Sequence, residues 1–291
     1  MATTDLLLIG RATELRRLQE NVAKGRHSLL VGKVGLGKSH LLRVLTRELP
    51  RSIYLDQVRP LRLSLLDLCQ ALHTRRDLTL TAPDAPWPDA LKKLQRLNIR
   101  ELTEVIARSL HDKGYVLILD QLEGLTPTTA PTMERLLAEA LVLGAASQLK
   151  PALQKVWWAF DRIDLQPLGR DEARELLWAL ADPGQIADPA MFEAKVLAQA
   201  DGNPYALVEM VRQVAGERQV GLQAIRDLHH GAGVRYLDIT PVLLLLGAVI
   251  VAARFVALGL NDPDLYIIAG SLGAVFFVAR YFLYRGLRRR G

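Results

Sequence analysis

Residues Ser28 to Ser39 read Ser-Leu-Leu-Val-Gly-Lys-Val-Gly-Leu-Gly-Lys-Ser, an apolar run followed by a complete G-x-x-x-x-G-K-[ST] phosphate loop. Gly32, Gly35 and Gly37 let the backbone curl so that its N–H groups point at phosphate oxygens, which side chains would obstruct. Lys38 supplies a point charge for the β- and γ-phosphates, and Ser39 a hydroxyl for Mg²⁺. The loop residues between them, Lys33, Val34 and Leu36, and His40 behind them complete the candidate phosphate cradle. Where the loop runs into a predicted helix over Lys38 to Leu49, the phosphates meet the positive end of the helix dipole. Ser28 to Val31 is the kind of apolar run that a buried parallel strand needs. Strand, loop and helix in this order predict ATP and Mg²⁺ as ligands.

A second stretch agrees. Tyr115-Val-Leu-Ile-Leu-Asp120 is a buried apolar strand ending in an acid, where Asp120 can hold the water shell of the Mg²⁺ that Ser39 touches. Ser39 and Asp120 are therefore the candidate metal residues. Around these two stretches apolar runs alternate with helical periods, the pattern of a parallel sheet with crossover helices. Helices are predicted at Arg11 to Lys24, Lys38 to Leu49, Leu63 to Thr74, Ile99 to Lys113 and Pro131 to Ala140. Further strands are predicted at Ile53 to Leu55, Ala140 to Ala146 and Arg162 to Leu165, and Thr81 to Pro88 reads as a surface loop. From Gly169 the strands stop, and Arg170 to Ala181, Pro189 to Ala200, Pro204 to Ala215 and Leu222 to Leu228 have helical spacing. The division is thus an α/β core over 1–168, a small helical lid over 169–230 and a linker over 231–240 with a hinge at Gly231-Ala-Gly233.

The remainder is apolar. Pro241 to Leu260 and Leu265 to Leu283 run almost without charge, each about the twenty residues that cross a bilayer as helix. With the connector Asn261-Asp-Pro-Asp264 they predict a two-span membrane hairpin over 241–284, followed by a basic tail over 285–291. Arg235 precedes the first span and Arg285, Arg288, Arg289 and Arg290 follow the second, a positive-inside bias that places both chain ends in the cytoplasm. Tyr236, Tyr266, Tyr281 and Tyr284 fall near the predicted interfaces. Ala248 with Ala252, and Gly270 with Ala274, have the small-xxx-small spacing that lets helices approach closely. Arg254 and Arg280 lie inside the spans but near their ends, within snorkelling reach of headgroups. Leu6 to Ile9 is too short for a signal peptide, so the nucleotide-binding part is expected in the cytosol.

Composition adds exclusions. The chain has 291 residues, a net charge of +6 and one cysteine. The basic tail accounts for part of the charge, and neither a helix-turn-helix nor an aromatic-basic platform supports a nucleic-acid partner. Cys69 falls among Leu65, Leu66, Leu68 and Leu72 as a small core residue, and a lone cysteine rules out a disulfide or cysteine-rich zinc framework within one chain. His229 and His230 lack further ligands at metal spacing. Trp157 and Trp158 read as packing residues of the lid.

Over residues 5 to 228 the chain resembles the AAA+/STAND branch of P-loop ATPases. Leu8-Ile9-Gly10-Arg11 followed by Glu14-Leu15 is similar to that family's N-terminal motif, and Gly202-Asn203-Pro204 to its GxP motif in the lid. The resemblance implies that Gly10 and Arg11 lie against the adenine and that Pro204 faces the base. It also implies a second acid after Asp120 to orient the attacking water, but that position is Gln121. Glutamine can hydrogen-bond a water and cannot take its proton, so hydrolysis is expected to be slow. Glu123 is the nearest alternative carboxylate, which makes Asp120, Gln121 and Glu123 the candidate catalytic set. The sensor position falls near Ser147, and an arginine finger would be Arg162, or Lys155 in its place. The resulting expectation is a membrane-anchored, slowly hydrolysing ATP switch that forms homo-oligomers or signals to an unknown protein partner. The rival expectations are an active remodelling motor, for protein or nucleic acid, and an ATP-gated pore.

Overall fold

Four of the five strands are short and almost wholly apolar because the sheet they form is covered on both faces, leaving no side for polar residues. The structure is a computed structural model that describes residues 8–80, 82, 85–215, 219–228 and 240–260, together with residues 263, 264, 267, 268, 270, 271, 273 and 276. The strands are β1 (Ser28–Val31), β2 (Ser52–Leu55), β3 (Val116–Leu119), β4 (Leu141–Ala146) and β5 (Asp161–Asp164). They pair in parallel in the order β2-β3-β4-β1-β5. Alternate residues serve opposite faces: Leu29 and Val31 join one apolar cluster and Leu30 the other.

On the Leu30 face lie α1 (Ala12–Ala23) and α2 (Lys38–Glu48), burying Leu18, Leu41, Leu42 and Leu45. On the opposite face α3 (Leu61–Thr74), α4 (Trp87–Leu94), α5 (Ile99–Leu110), α6 (Ala130–Leu137) and α7 (Gln154–Trp157) close the larger cluster. Cys69 is fully buried there, and burial pushes its thiol up to about 12, so it is an unreactive core residue. Then α8 (Arg170–Leu180), α9 (Pro189–Ala200), α10 (Pro204–Val214) and α11 (Leu222–Asp227) pack around Phe192, Val196, Leu207 and Met210, an apolar cluster of their own.

Several expectations are corrected. The helix predicted to reach Lys113 stops at Leu110, because Asp112 and Gly114 take left-handed backbone conformations with φ of 53° and 65°. The helix α4 begins inside the stretch read as a surface loop, since Pro88 occupies a first-turn position where its missing N–H costs nothing. The tryptophan pair does not belong to the lid: Trp157 packs on the core cluster and donates Nε1–H to Lys150 O at 2.9 Å, while Trp158 is exposed.

Chain contacts divide the polypeptide into Met1–Gly233 and Val234–Gly291. In the second unit α12 spans Thr240–Leu260, and the described residues between 263 and 276 are helical. Among the described residues, however, no helix is long and apolar enough to cross a membrane, so the two predicted spans are not matched as spans. A Cβ on Gly247 would lie 3.1 Å from the Phe276 ring, and one on Gly273 3.6 Å from Ile250 Cγ2. The two pairs step in opposite directions along the chain, so these helical stretches cross antiparallel. Close approach thus involves Gly247 and Gly273, whereas Ala248 and Ala252, predicted to face the partner, are exposed. The hinge at 231–233, His229, His230, Arg235, Tyr236, Asn261, Asp262, Tyr266, Ala274, Arg280, Tyr281, Tyr284, the basic tail and the side chain of Arg254 lie outside the described residues.

Candidate nucleotide-binding site

In a parallel sheet the carboxyl ends of the strands open onto the crevice where ligands bind. The loop after β1 is the phosphate loop, and its start is held to the neighbouring strand by Gly32 N–H donating to Ala146 O at 3.3 Å. Gly35 and Gly37 have φ of 86° and 89°, a conformation that a side chain would strain. Gly37 ends the loop as the residue preceding α2, which places Lys38 and Ser39 in the first turn. Lys38 Nζ donates to Gly32 O at 2.6 Å and Lys33 O at 2.9 Å, so its charge is folded onto the loop's own carbonyls. Burial pulls the pKa of this ammonium below its ordinary value against the opposing pull of Glu123 and Asp120, whose charges reach it. Lys33 and Val34 are exposed at the loop tip, Leu36 is buried beneath it, and Ser39 and His40 are half-buried.

At the end of β3, Asp120 is 2% exposed. Its Oδ1 accepts the N–H of Gln121 at 2.8 Å, and its Oδ2 accepts the hydroxyl of Tyr54 at 2.9 Å. Gln121 is exposed and in a left-handed conformation, φ 53°, which turns the chain sharply off the strand. Glu123 is tied down: Ser147, just past β4, donates its hydroxyl to Oε1 at 2.6 Å and its N–H to Oε2 at 3.1 Å. Burial pushes the Glu123 carboxyl up, but the Ser147 bonds, its backbone and Lys38 outweigh it and hold the group below the usual carboxylate range. A carboxylate so stabilised is a poor proton acceptor.

The first motif and the lid converge on the same loop. Arg11 is buried, and its guanidinium donates to Leu36 O at 3.2 Å and Gln166 O at 2.8 Å while pairing with Glu14 at 3.1 Å. It brackets the phosphate loop to the segment after β5. Gly10 has φ 71°, and a Cβ there would stand 2.8 Å from Glu172 of α8. In the lid, Pro204 opens α10 behind Asn203. The Asn203 side chain donates to Val34 O at 3.0 Å, and the N–H of Tyr205 donates to Gly35 O at 3.1 Å. Of the candidate arginine-finger residues, Arg162 pairs with Asp164 on its own strand at 2.6 Å. Sequence reasoning missed Tyr54 and Asn203 as site residues; the position of Asn203 inside the GxP-like motif was the available signal.

Whether these residues fit MgATP can be judged from the donor set. The loop N–H groups and Lys38 suit phosphates, and Ser39 with Asp120 offers a hydroxyl and a buried carboxylate for a hydrated Mg²⁺, whose charge would neutralise the phosphate oxygens. Among the described residues no group of three His, Cys, Asp or Glu side chains could hold a metal ion.

The model of a family described as an AAA ATPase domain matches residues 7–153, about half of the chain. Comparison with curated proteins gives no match. Among solved structures the chain is similar to the Walker-type ATPase PABY2304 of Pyrococcus abyssi, with a TM-score of 0.52 and 16% identity over 88% of this chain and 77% of that one. It also resembles domain III of the replication initiation protein DnaA of Thermotoga maritima, with a TM-score of 0.46 and 16% identity over 76% of this chain and 91% of that one. AMPPCP-bound DnaA from Aquifex aeolicus gives a TM-score of 0.46 and 14% identity, covering 85% and 71%. At these identities the first likeness speaks for the fold alone.

Proposed function

The chain belongs to the AAA ATPase domain family, and from that premise we propose that it is a membrane-anchored, slowly hydrolysing nucleotide switch. MgATP binds between the α/β core and the helical lid, and the lid passes the result to another copy of the chain or to a protein partner. The observation that carries this reading is the latch between Asn203 and Tyr205 of the lid and the carbonyls of Val34 and Gly35. A loop that turns its N–H groups onto phosphates re-aims those carbonyls, so bound nucleotide and latched lid are energetically coupled. ATP can drive a change only through such a difference in affinity between two arrangements. Slow hydrolysis fits Gln121 and the immobilised Glu123, and it sets this reading above that of a remodelling motor, which needs an acid free to serve the attacking water.

Asn203→Ala removes the side-chain half of the latch, and with it the cap on α10, while leaving the Tyr205 N–H bond to Gly35 O and every loop residue in place. ATP affinity is expected to stay within about threefold of wild type, the scale of one neutral hydrogen bond. ATP is expected to change amide exchange in α10 of the wild type, and that change is expected to shrink markedly in the variant. An undiminished ATP-induced change in α10 of the variant would overturn the coupling.

The membrane part rests on the runs Pro241 to Leu260 and Leu265 to Leu283, apolar over bilayer length but for Arg254 and Arg280 near their ends. It is supported by large apolar side chains left exposed on α12, among them Leu245 at 70%, Phe255 at 69% and Leu260 at 68%. With the basic tail, this reading keeps both chain ends cytoplasmic. The full chain is expected to float with phospholipid vesicles, and Leu245→Asp combined with Phe255→Asp to abolish flotation. Flotation of that double variant, or failure of the wild type to float, sinks the anchor.

A further inference from the structure

Tyr54 belongs to none of the motifs of the nucleotide site, yet it joins three of the elements that build it. It sits on β2 opposite Ile118 of β3, and the two strands stay paired to their ends, where Asp120 N–H donates to Leu55 O at 2.9 Å. Its hydroxyl is 2.9 Å from Asp120 Oδ2 and 3.4 Å from Asp56 Oδ1. A phenol has one hydrogen to give, and the shorter contact takes it. Asp56 is satisfied otherwise, by Arg43 at 3.1 Å, and the Arg43 guanidinium also lies over the Tyr54 ring, 5.6 Å from its centre. Arg43 stands on α2, the helix whose first turn carries Lys38 and Ser39.

We propose that Tyr54 is the positioning residue for Asp120: its hydroxyl fixes the rotation of the carboxylate and leaves the remaining lone pairs for the water shell of a divalent cation. Arg43 supports it by occupying the competing acceptor, Asp56. Gln121 N–H on Oδ1 and Tyr54 on Oδ2 together hold both carboxylate oxygens. Either bond alone would leave the group free to swing. Outer partners of this kind set how tightly a metal is held more than how tightly the rest of the ligand is held.

The inference rests on the MgATP reading, and the test separates the two. ATP affinity is measured against Mn²⁺ concentration, and with EDTA, for the full chain and for Tyr54→Phe, which removes only the oxygen. The Mn²⁺ concentration that yields half of the affinity gain is expected to rise about tenfold in the variant. Affinity in EDTA is expected to change by less than about twofold, because no phosphate contact is lost. Arg43→Gln, at an exposed site, is expected to shift the same midpoint by about threefold, the scale of one weakened hydrogen bond, and decides the matter should Tyr54→Phe fail to fold. An unchanged midpoint in the folded variant overturns the role of Tyr54. ATP binding by the wild type that ignores Mn²⁺ overturns both readings.

Discussion

Lys38→Ala is expected to weaken ATP binding about a hundredfold, or about 2.8 kcal/mol, the scale of two charge-assisted hydrogen bonds to phosphate. In the structure Lys38 Nζ donates to Gly32 O and Lys33 O, so the lysine must leave these carbonyls to meet a phosphate. Removing it therefore has two separable effects. The free protein loses two hydrogen bonds at a half-buried position, which costs about 1 kcal/mol of stability. The ligand loses its principal charge partner, which costs more. Thermal unfolding with and without ATP resolves them. At an ATP concentration of 100 times its Kd the wild type gains about 2.7 kcal/mol, whereas the variant at the same concentration sits near its own Kd and gains about 0.4 kcal/mol. An ATP-induced stabilisation that survives Lys38→Ala undiminished would refute the phosphate-loop reading.

Much of this site is legible in the chain because its logic is local. The run Ser28 to Val31, the three loop glycines, Lys38 and Ser39 are consecutive, and their backbone conformations follow from residue type. Asp120 is legible for the same reason: an apolar strand must end somewhere, and an acid there faces the crevice. What escaped the sequence reading joins residues of ambiguous chemistry over long separations. Asn203 reaches Val34 across 169 positions, and Tyr54 reaches Asp120 across 66. A tyrosine on a strand or an asparagine before a helix is first of all a strand former or a cap. Only the order of the strands, which sets β2 beside β3, makes Tyr54 a neighbour of the acid. The apolar C-terminal stretch shows the converse error, since small residues recur throughout apolar stretches and spacing alone selected Ala248 and Ala252 over Gly247.

Gln121→Glu is expected to raise ATP turnover roughly a hundredfold, the lower range of what a positioned general base contributes. The two carboxylates beside Gln121 are already engaged. Asp120 is engaged through both oxygens. Glu123 is held by two bonds from Ser147, and its pKa lies below the ordinary range. Gln121 is exposed, and its backbone is anchored by its own N–H to Asp120. Its left-handed conformation strains glutamate no more than glutamine, so the substitution adds charge without a new backbone cost. If the chain is a switch whose ATP state is meant to persist, the faster variant should also return its lid to the nucleotide-free state sooner, readable as quicker recovery of α10 amide exchange after an ATP pulse. Glu123→Gln supplies the counter-test. A large loss of turnover in that variant, with Gln121→Glu inert, would move the catalytic role to Glu123 and restore the motor reading. A rise with Gln121→Glu that Asp120→Asn abolishes would assign the proposed slow hydrolysis to the glutamine at this position.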